Sequence, residues 1–304
     1  MFPSLEFLPL LNNREEAVVA WLAIALVLAV VNSNVRSAIS SVIKAFLAPP
    51  IVFAWSCMAV YVGVVVLLLY FIGYWDLSLM KDTVTWFGGP AMVLFVSQGK
   101  AHEDPDYFKK TLIKLLSLTV IVEFAVNLYV FSFWIEMFLV PLSVALGALL
   151  AVSTTKPEYE PSKHLFQSAL NVLGLVILGY TVVMIAVHFS SFATQDTLRE
   201  FILPATLTIA FIPFIYVLAL YSGYEDIFVR VGIWITDREL AGYTRRRILL
   251  ACGLSLGRVR MFMHEYTRKL PTVRSKGDAK RLVSEFEVTA ETSPARGFTT
   301  PPSP

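Results

Sequence analysis

Charge is scarce in this chain. Only 16% of its 304 residues are Asp, Glu, Lys or Arg, against 56% hydrophobic, and the mean hydropathy is +0.66. Soluble domains carry nearer a quarter charged residues, so too little charge is present to cover a water-facing surface of this size. Cysteine is scarcer still. Cys57 lies in an apolar block and Cys252 in a basic stretch, so neither a disulfide between them nor a zinc-type spacing is expected. The start of the chain lacks a basic n-region. Asn12, Asn13, Arg14, Glu15 and Glu16 precede the first apolar run, unlike a cleavable signal peptide. Catalytic signatures are missing too: no P-loop, G-x-S-x-G, H-E-x-x-H or dinucleotide fingerprint occurs. No Asp lies deep in an apolar run, as a paired-aspartate intramembrane protease would need. The chain is expected to be no enzyme, and to use no cofactor or metal.

What remains is apolar, and it comes in blocks. Each is about the length that crosses a hydrocarbon core of roughly 30 Å, or somewhat short of it. In lipid the backbone must satisfy its polar groups within a helix or a closed barrel, and continuous runs without strand alternation point to helices. The expected fold class is all-α: a polytopic transmembrane helical bundle of about seven spans, with six as the alternative, and a cytoplasmic basic amphipathic tail. The candidate spans are 17–31, which is short, 51–74, 77–98, 111–131, 134–152, 166–187 and 201–221. The segment 32–48 repeats apolar residues at helical spacing with Arg36 and Lys44 off the stripe, as in a helix lying in the interface. The 77–98 run is ambiguous, since Lys81 and Asp82 stand near its start and Gly88, Gly89 and Pro90 break its middle. So short a turn joins 111–131 to 134–152 that a tight antiparallel hairpin is expected. Three regions result: a membrane domain over 1–222, basic amphipathic helices over 223–271, and a largely disordered tail over 272–304.

A net charge of +2 conceals a strong asymmetry. Lys and Arg in short connections stay on the cytoplasmic side. With seven spans and the N-terminus outside, twenty-two of the twenty-five basic residues fall inside, and only Arg14, Lys81 and Arg199 fall outside. The six-span alternative, in which 77–98 does not cross, gives the same split with Arg14 and Lys81 exchanged for Arg36 and Lys44. Either way the C-terminus is cytoplasmic. Seven is preferred, because apolar residues resume at 93–96.

Few residues carry chemistry. Glu123 stands inside an apolar run, with Thr119 one turn before it and Asn127 one turn after. An ionisable group at that depth costs a few kcal/mol or more and belongs in a bundle interior. It reads as a proton, cation or pore-lining site, or, the preferred reading, as a polar clamp to a neighbouring helix, with Asn171 as a candidate partner and Tyr180 or Thr181 further along. Glu136 and His188 lie near span ends, where solvated side chains are ordinary. His102, Glu103, Asp104 and Asp106 could hold a metal, but the run before Pro105 fits a helix cap better.

From Arg238 to Arg281 twelve basic residues face three acidic ones, with Arg245, Arg246 and Arg247 consecutive and Arg258 and Arg260 beside an apolar stripe of Val259, Phe262, Met263 and Tyr266. Such helices suit anionic lipid head groups of the bilayer, at about 1 kcal/mol per basic residue, or a cytosolic protein; nucleic acid is not expected. The plain alternative is that these residues only obey the positive-inside rule.

The runs Glu103-Asp104-Pro105 to Phe108 and Glu123-Phe124-Ala125-Val126-Asn127-Leu128-Tyr129 resemble a group of uncharacterised bacterial polytopic membrane proteins. So do Lys156-Pro157-Glu158-Tyr159 and the run from Phe192 to Pro204. The resemblance spans most of the membrane region. It implies a multi-pass protein of the bacterial cytoplasmic (inner) membrane and transfers no catalytic residues. Three functions are open: a pore-type or membrane-perturbing component, homo-oligomeric or not, regulated through its tail; a scaffold or sensor docking a cytosolic partner; and a small-solute transporter, for which no internal repeat is visible.

Overall fold

A chain this apolar must satisfy its backbone locally, and it does so with helices. The computed structural model describes residues 11–31, 33–115, 117–155, 160–189 and 194–292, with no strand among them. Lys156 to Tyr159, parts of the 188–200 connection and the residues from Ser293 onward lie outside the described residues.

The helices are α1 (Asn13–Val31), α2 (Ser33–Phe46), α3 (Pro49–Phe71), α4 (Met80–Trp86), α5 (Met92–Ser97), α6 (Tyr107–Leu115), α7 (Leu118–Leu128), α8 (Phe133–Ser153), α9 (Glu160–Val187), α10 (Gln195–Trp234), α11 (Arg238–Cys252), α12 (Leu256–Met261) and α13 (Lys276–Thr292). Among the described residues four stretches are long and apolar enough to cross a membrane: Ile51–Phe71, Phe133–Ser153, Glu160–Val187 and Gln195–Trp234. A fifth arises if α1 and the Val35–Ser41 part of α2, bent by 110° at their junction, count as one broken span. Single helices therefore do not reach seven.

Two of the expected spans are interrupted. The 111–131 run is divided between α6 and α7, because α6 is amphipathic and carries exposed Lys109 and Lys110, while α7 is apolar apart from Glu123 and Asn127. The 77–98 run is helical but irregular. A π-turn, Phe87–Ala91, sits between α4 and α5, where Pro90 offers no N–H and the helix ladder must shift. Among the described residues the partners differ from the expected α7–α8 hairpin: α8 packs chiefly against α1 and α9, and α7 against α9.

The chain forms two compact units. One comprises the described residues within 1–63, 70–81 and 116–203; the other comprises those within 64–69, 82–115 and 204–304. Residue 222, expected as a boundary, lies inside α10, which runs unbroken for 40 residues, about 60 Å at helical rise. That is about twice a hydrocarbon core.

The second unit is organised on that helix. Leu207, Phe211, Ile215, Ala219, Ile227, Val231 and Ile235 are buried, four residues apart except where Gly223 holds the place between 219 and 227. A four-residue repeat on a 3.6-residue helix turns slowly around the axis, so different neighbours cover successive parts of it. Near one end Trp86 donates to Thr208 Oγ1 at 2.9 Å and packs edge-on against Phe211. Towards the other, Ala219, Ile227, Val231 and Ile235 join one core with residues of α11, α12 and α13.

The tail also folds further than expected. Over 272–304 a largely disordered tail is expected, yet α13 forms, with Ala279, Leu282, Val283 and Phe286 buried. A reciprocal cap starts it: Ser275 Oγ accepts from the Asp278 amide at 3.2 Å, and Asp278 accepts from the Ser275 amide at 3.0 Å, the capping-box arrangement. Phe286 meets Phe262 and Tyr266 edge-on at 5.2 and 5.3 Å.

Phe286 is wholly buried, so Phe286→Ala should destabilise the second unit by about 3–5 kcal/mol. Limited proteolysis in detergent checks this: the variant should be cut within α13 under conditions that leave the parent intact, and equal resistance would show that α13 does not hold that core.

Candidate functional site

In the first unit the polar side chains converge on the start of α1. Glu136, on the first turn of α8, is 1% exposed. Arg14 grips it with two bonds, Nε to Oε2 and Nη2 to Oε1, each 3.1 Å, and the Phe131 amide donates to Oε1 at 3.0 Å. A buried carboxylate needs such partners, since leaving it without them carries a large desolvation cost. Arg14 Nη1 also reaches Asn127 Oδ1 at 3.2 Å. Glu15 pairs with Lys81 at 2.8 Å, and Arg199 with Asp76 at 3.5 Å. Asp76 also accepts from the Ser78 hydroxyl and amide, and those bonds hold its carboxyl below the usual range.

The intramembrane set of Glu123, Asn127 and Asn171 is not brought together by contact. Glu123 is exposed on α7. Asn127 serves Arg14, and Asn171 accepts from Gln167 on its own helix at 3.1 Å. Tyr180 stacks on Phe131 at 4.0 Å. The carboxylate at the centre of this unit is Glu136, placed at a span end by the sequence; Arg14 and Asn13 just before the first apolar run were the available signal. Beside α7 an open apolar groove of about 380 Å³ is lined by Ile121, Phe124, Ala125, Leu198 and Phe201, with Thr194 and Thr197 at its edge.

The second unit holds a buried polar cluster. His102 is 6% exposed and sits against Gly223, where a Cβ would come within 2.7 Å of both His102 Cε1 and Val259 Cγ1. Only glycine admits that approach. Neither imidazole nitrogen makes a hydrogen bond of normal geometry, although the Ala219 carbonyl lies near enough to favour the charged ring. Around it, Arg260 donates to the Ala101 carbonyl, and His264 Nε2 lies 3.3 Å from the His102 carbonyl. Burial is the main force on His102 and lowers its pKa. Arg260 and His264 add to that, and Asp226 opposes it. Burial likewise lowers Arg260 and pushes the Cys252 thiol up to about 12. Asp104 starts α6, accepting from the Asp106 amide at 2.9 Å and from Lys110 at 2.6 Å.

The five basic residues singled out in the tail are dispersed. Arg246 and Arg258 are exposed; Arg245, Arg247 and Arg260 are half-buried. Arg245 donates to the Phe228 carbonyl at 3.1 Å and covers the Phe228 ring at 5.9 Å. Arg258 donates to the Ala251 carbonyl at 3.1 Å. Arg260 belongs to the His102 cluster.

These features define a class: an all-helical protein whose four long apolar helices mark it as a membrane protein. They do not extend to a particular protein, since no family model, no curated protein and no solved structure matches the chain.

His102 supplies a pH test. Its folded pKa is lowered, so the unfolded chain binds more protons as pH falls through about 6.5. Stability from the neutral ring is present above that pH and is lost as pH drops below it. Thermal unfolding in detergent should show the second unit weakening between pH 7.5 and 5.5, and His102→Gln should flatten that slope. An unchanged slope in the variant would assign the titration to other groups.

Proposed function

We propose that this chain is a non-enzymatic, multi-pass protein of the bacterial inner membrane that works as a scaffold or sensor, docking a cytosolic protein through its folded C-terminal module. One observation carries the reading. Beyond the apolar part of α10, residues 238–292 fold back onto that helix and share one core with it, with Ile248, Val259, Phe262, Leu270 and Phe286 buried. The basic side chains Arg268, Arg274, Lys280 and Arg281 are left exposed. A tail that only obeyed the positive-inside rule would need no such core.

The ion pairs support the side assigned to the module. Arg14, Lys81 and Arg199 are the three basic residues expected opposite the tail in the seven-crossing arrangement, and each is paired within one unit: with Glu136, Glu15 and Asp76. The six-crossing alternative would put Arg14 and Glu136 on opposite faces, and likewise Asp76 and Arg199. Seven crossings, two of them made from the broken runs 77–98 and 107–128, keep each pair on one face and leave the C-terminus cytosolic. The test is charge reversal. A photo-crosslinker at Arg281 should trap a cytosolic protein in living cells, and Arg274→Glu with Lys280→Glu should abolish the adduct without lowering the melting temperature. Adducts with lipid alone, or an adduct that survives the reversal, would defeat the docking reading.

A second reading keeps a pore. Glu123 and Asn127 are exposed on apolar α7, and a carboxyl facing acyl chains is costly, so another copy of the chain would cover it and several copies would line a path with Glu123. Glu123→Gln should then change the conductance of reconstituted vesicles; identical leakage would remove the pore.

A further inference from the structure

A second structural feature concerns the membrane itself and rests on reading α10 as a span. Beyond its apolar part α10 does not stand alone, because α11 runs back along it. Arg245 lies beside Phe228 and Gly232 of α10. Further along α11 the partners on α10 move towards its start: Tyr224 donates to the Gly253 carbonyl at 2.6 Å, and Tyr216 to the Leu254 carbonyl at 2.8 Å. The Leu256 amide donates to the same Tyr216 hydroxyl at 3.2 Å. The two helices are therefore antiparallel, and the corner between α11 and α12 is held beside Tyr216. That residue lies within the apolar stretch 201–221 rather than beside Glu225 or Asp226.

Two properties of this corner are unusual for a water-facing loop. It presents Leu249, Leu250 and Leu254 at 47%, 69% and 82% exposure. Its carbonyls are also satisfied by tyrosine hydroxyls from the spanning helix, and irregular backbone at membrane depth requires partners of that kind. Basic residues stand around it. Arg246 and Arg258 are exposed on α11 and α12, and Phe108 packs on Tyr216 at 5.7 Å, bringing α6 with its exposed Lys109 and Lys110 to the same level.

We infer that the α11–α12 corner is a membrane foot: Leu250 and Leu254 sit among the acyl chains of the leaflet that α10 leaves, beneath a ring of Arg246, Arg258, Lys109 and Lys110 at the head-group level. Apolar side chains that contribute nothing to the core are stabilised there by burial in lipid. The basic ring matches an anionic leaflet, and Tyr216 and Tyr224 clamp the foot to the span at interface depth. The C-terminal module is thereby seated on the bilayer and cannot swing about the end of α10.

Depth quenching tests this. In a chain whose Cys57 and Cys252 are replaced by alanine, an environment-sensitive fluorophore is placed at Leu254→Cys and, for comparison, at the exposed Arg274→Cys. The protein is reconstituted into phosphatidylcholine–phosphatidylglycerol vesicles. The label at 254 should be blue-shifted, quenched by lipids carrying a nitroxide on the acyl chain and shielded from iodide, with the label at 274 showing the reverse. Iodide quenching at 254 equal to that at 274 would overturn the foot. Shielding from both quenchers would overturn it too, because the leucines would then be covered by protein. Tyr216→Phe should raise iodide access at 254 while the label at 274 stays unchanged. The partner crosslink at Arg281 reports separately, so a failed dock with a lipid-quenched 254 leaves the foot standing.

Discussion

A helix about twice as long as a hydrocarbon core is thick must change its solvent partway along, and the same backbone has to satisfy both environments. In α10 a buried stripe that steps four residues at a time meets that demand. Within lipid, Leu207 and Phe211 gain little from exclusion of water, and their cover, Trp86 bonded to Thr208, works by close packing and a hydrogen bond. Beyond lipid, Ile227 and Val231 are worth roughly 1.5–3 kcal/mol each when removed from water. Because the stripe rotates, the surfaces it offers at its two ends point in different directions, and α11, α12 and α13 assemble on the later part. The tail is ordered because α10 supplies one wall of its core.

Gly223 sits midway along that stripe. Without a side chain there, the α10 backbone approaches His102 and Val259 closely, and the imidazole is packed away from water with no hydrogen bond of normal geometry at either nitrogen. Such a group weakens the folded unit when it takes up a proton. The energetic logic of the first unit is the reverse. There a buried carboxylate, Glu136, is fully compensated by Arg14 and a backbone amide, so the start of α1 is tied to the turn that precedes α8. One unit stores a poorly satisfied polar group and the other satisfies its own.

Several features were legible beforehand. The apolar blocks gave the helices, and the spans 51–74, 134–152 and 166–187 correspond closely to α3, α8 and α9, because a continuous apolar run leaves the backbone no alternative in lipid. The capping pair Ser275 and Asp278 stood in the sequence three residues apart, and apolar residues at 227, 231 and 235 continued the rhythm of 207, 211, 215 and 219. Both signals lay beyond a drop in hydropathy at Ser222 and were outweighed by it. Composition registers the change of solvent, whereas helix continuity follows the four-residue repeat.

Local chemistry in the chain, read residue by residue, was enough to decide that it is helical, that its helices are apolar enough for a membrane, and that positive charge gathers towards one end. Those properties depend on hydrogen bonds four residues apart and on transfer of single side chains from water. Partnership was beyond its reach. Arg14 meets Glu136 across 122 positions, Arg260 meets Ala101 across 159, and Tyr216 holds Leu254 across 38. Nothing local distinguishes a carboxylate that is gripped from one left exposed, as Glu136 and Glu123 are. Only the folding of distant segments against each other settles which polar group is buried and which leucine remains outside the core.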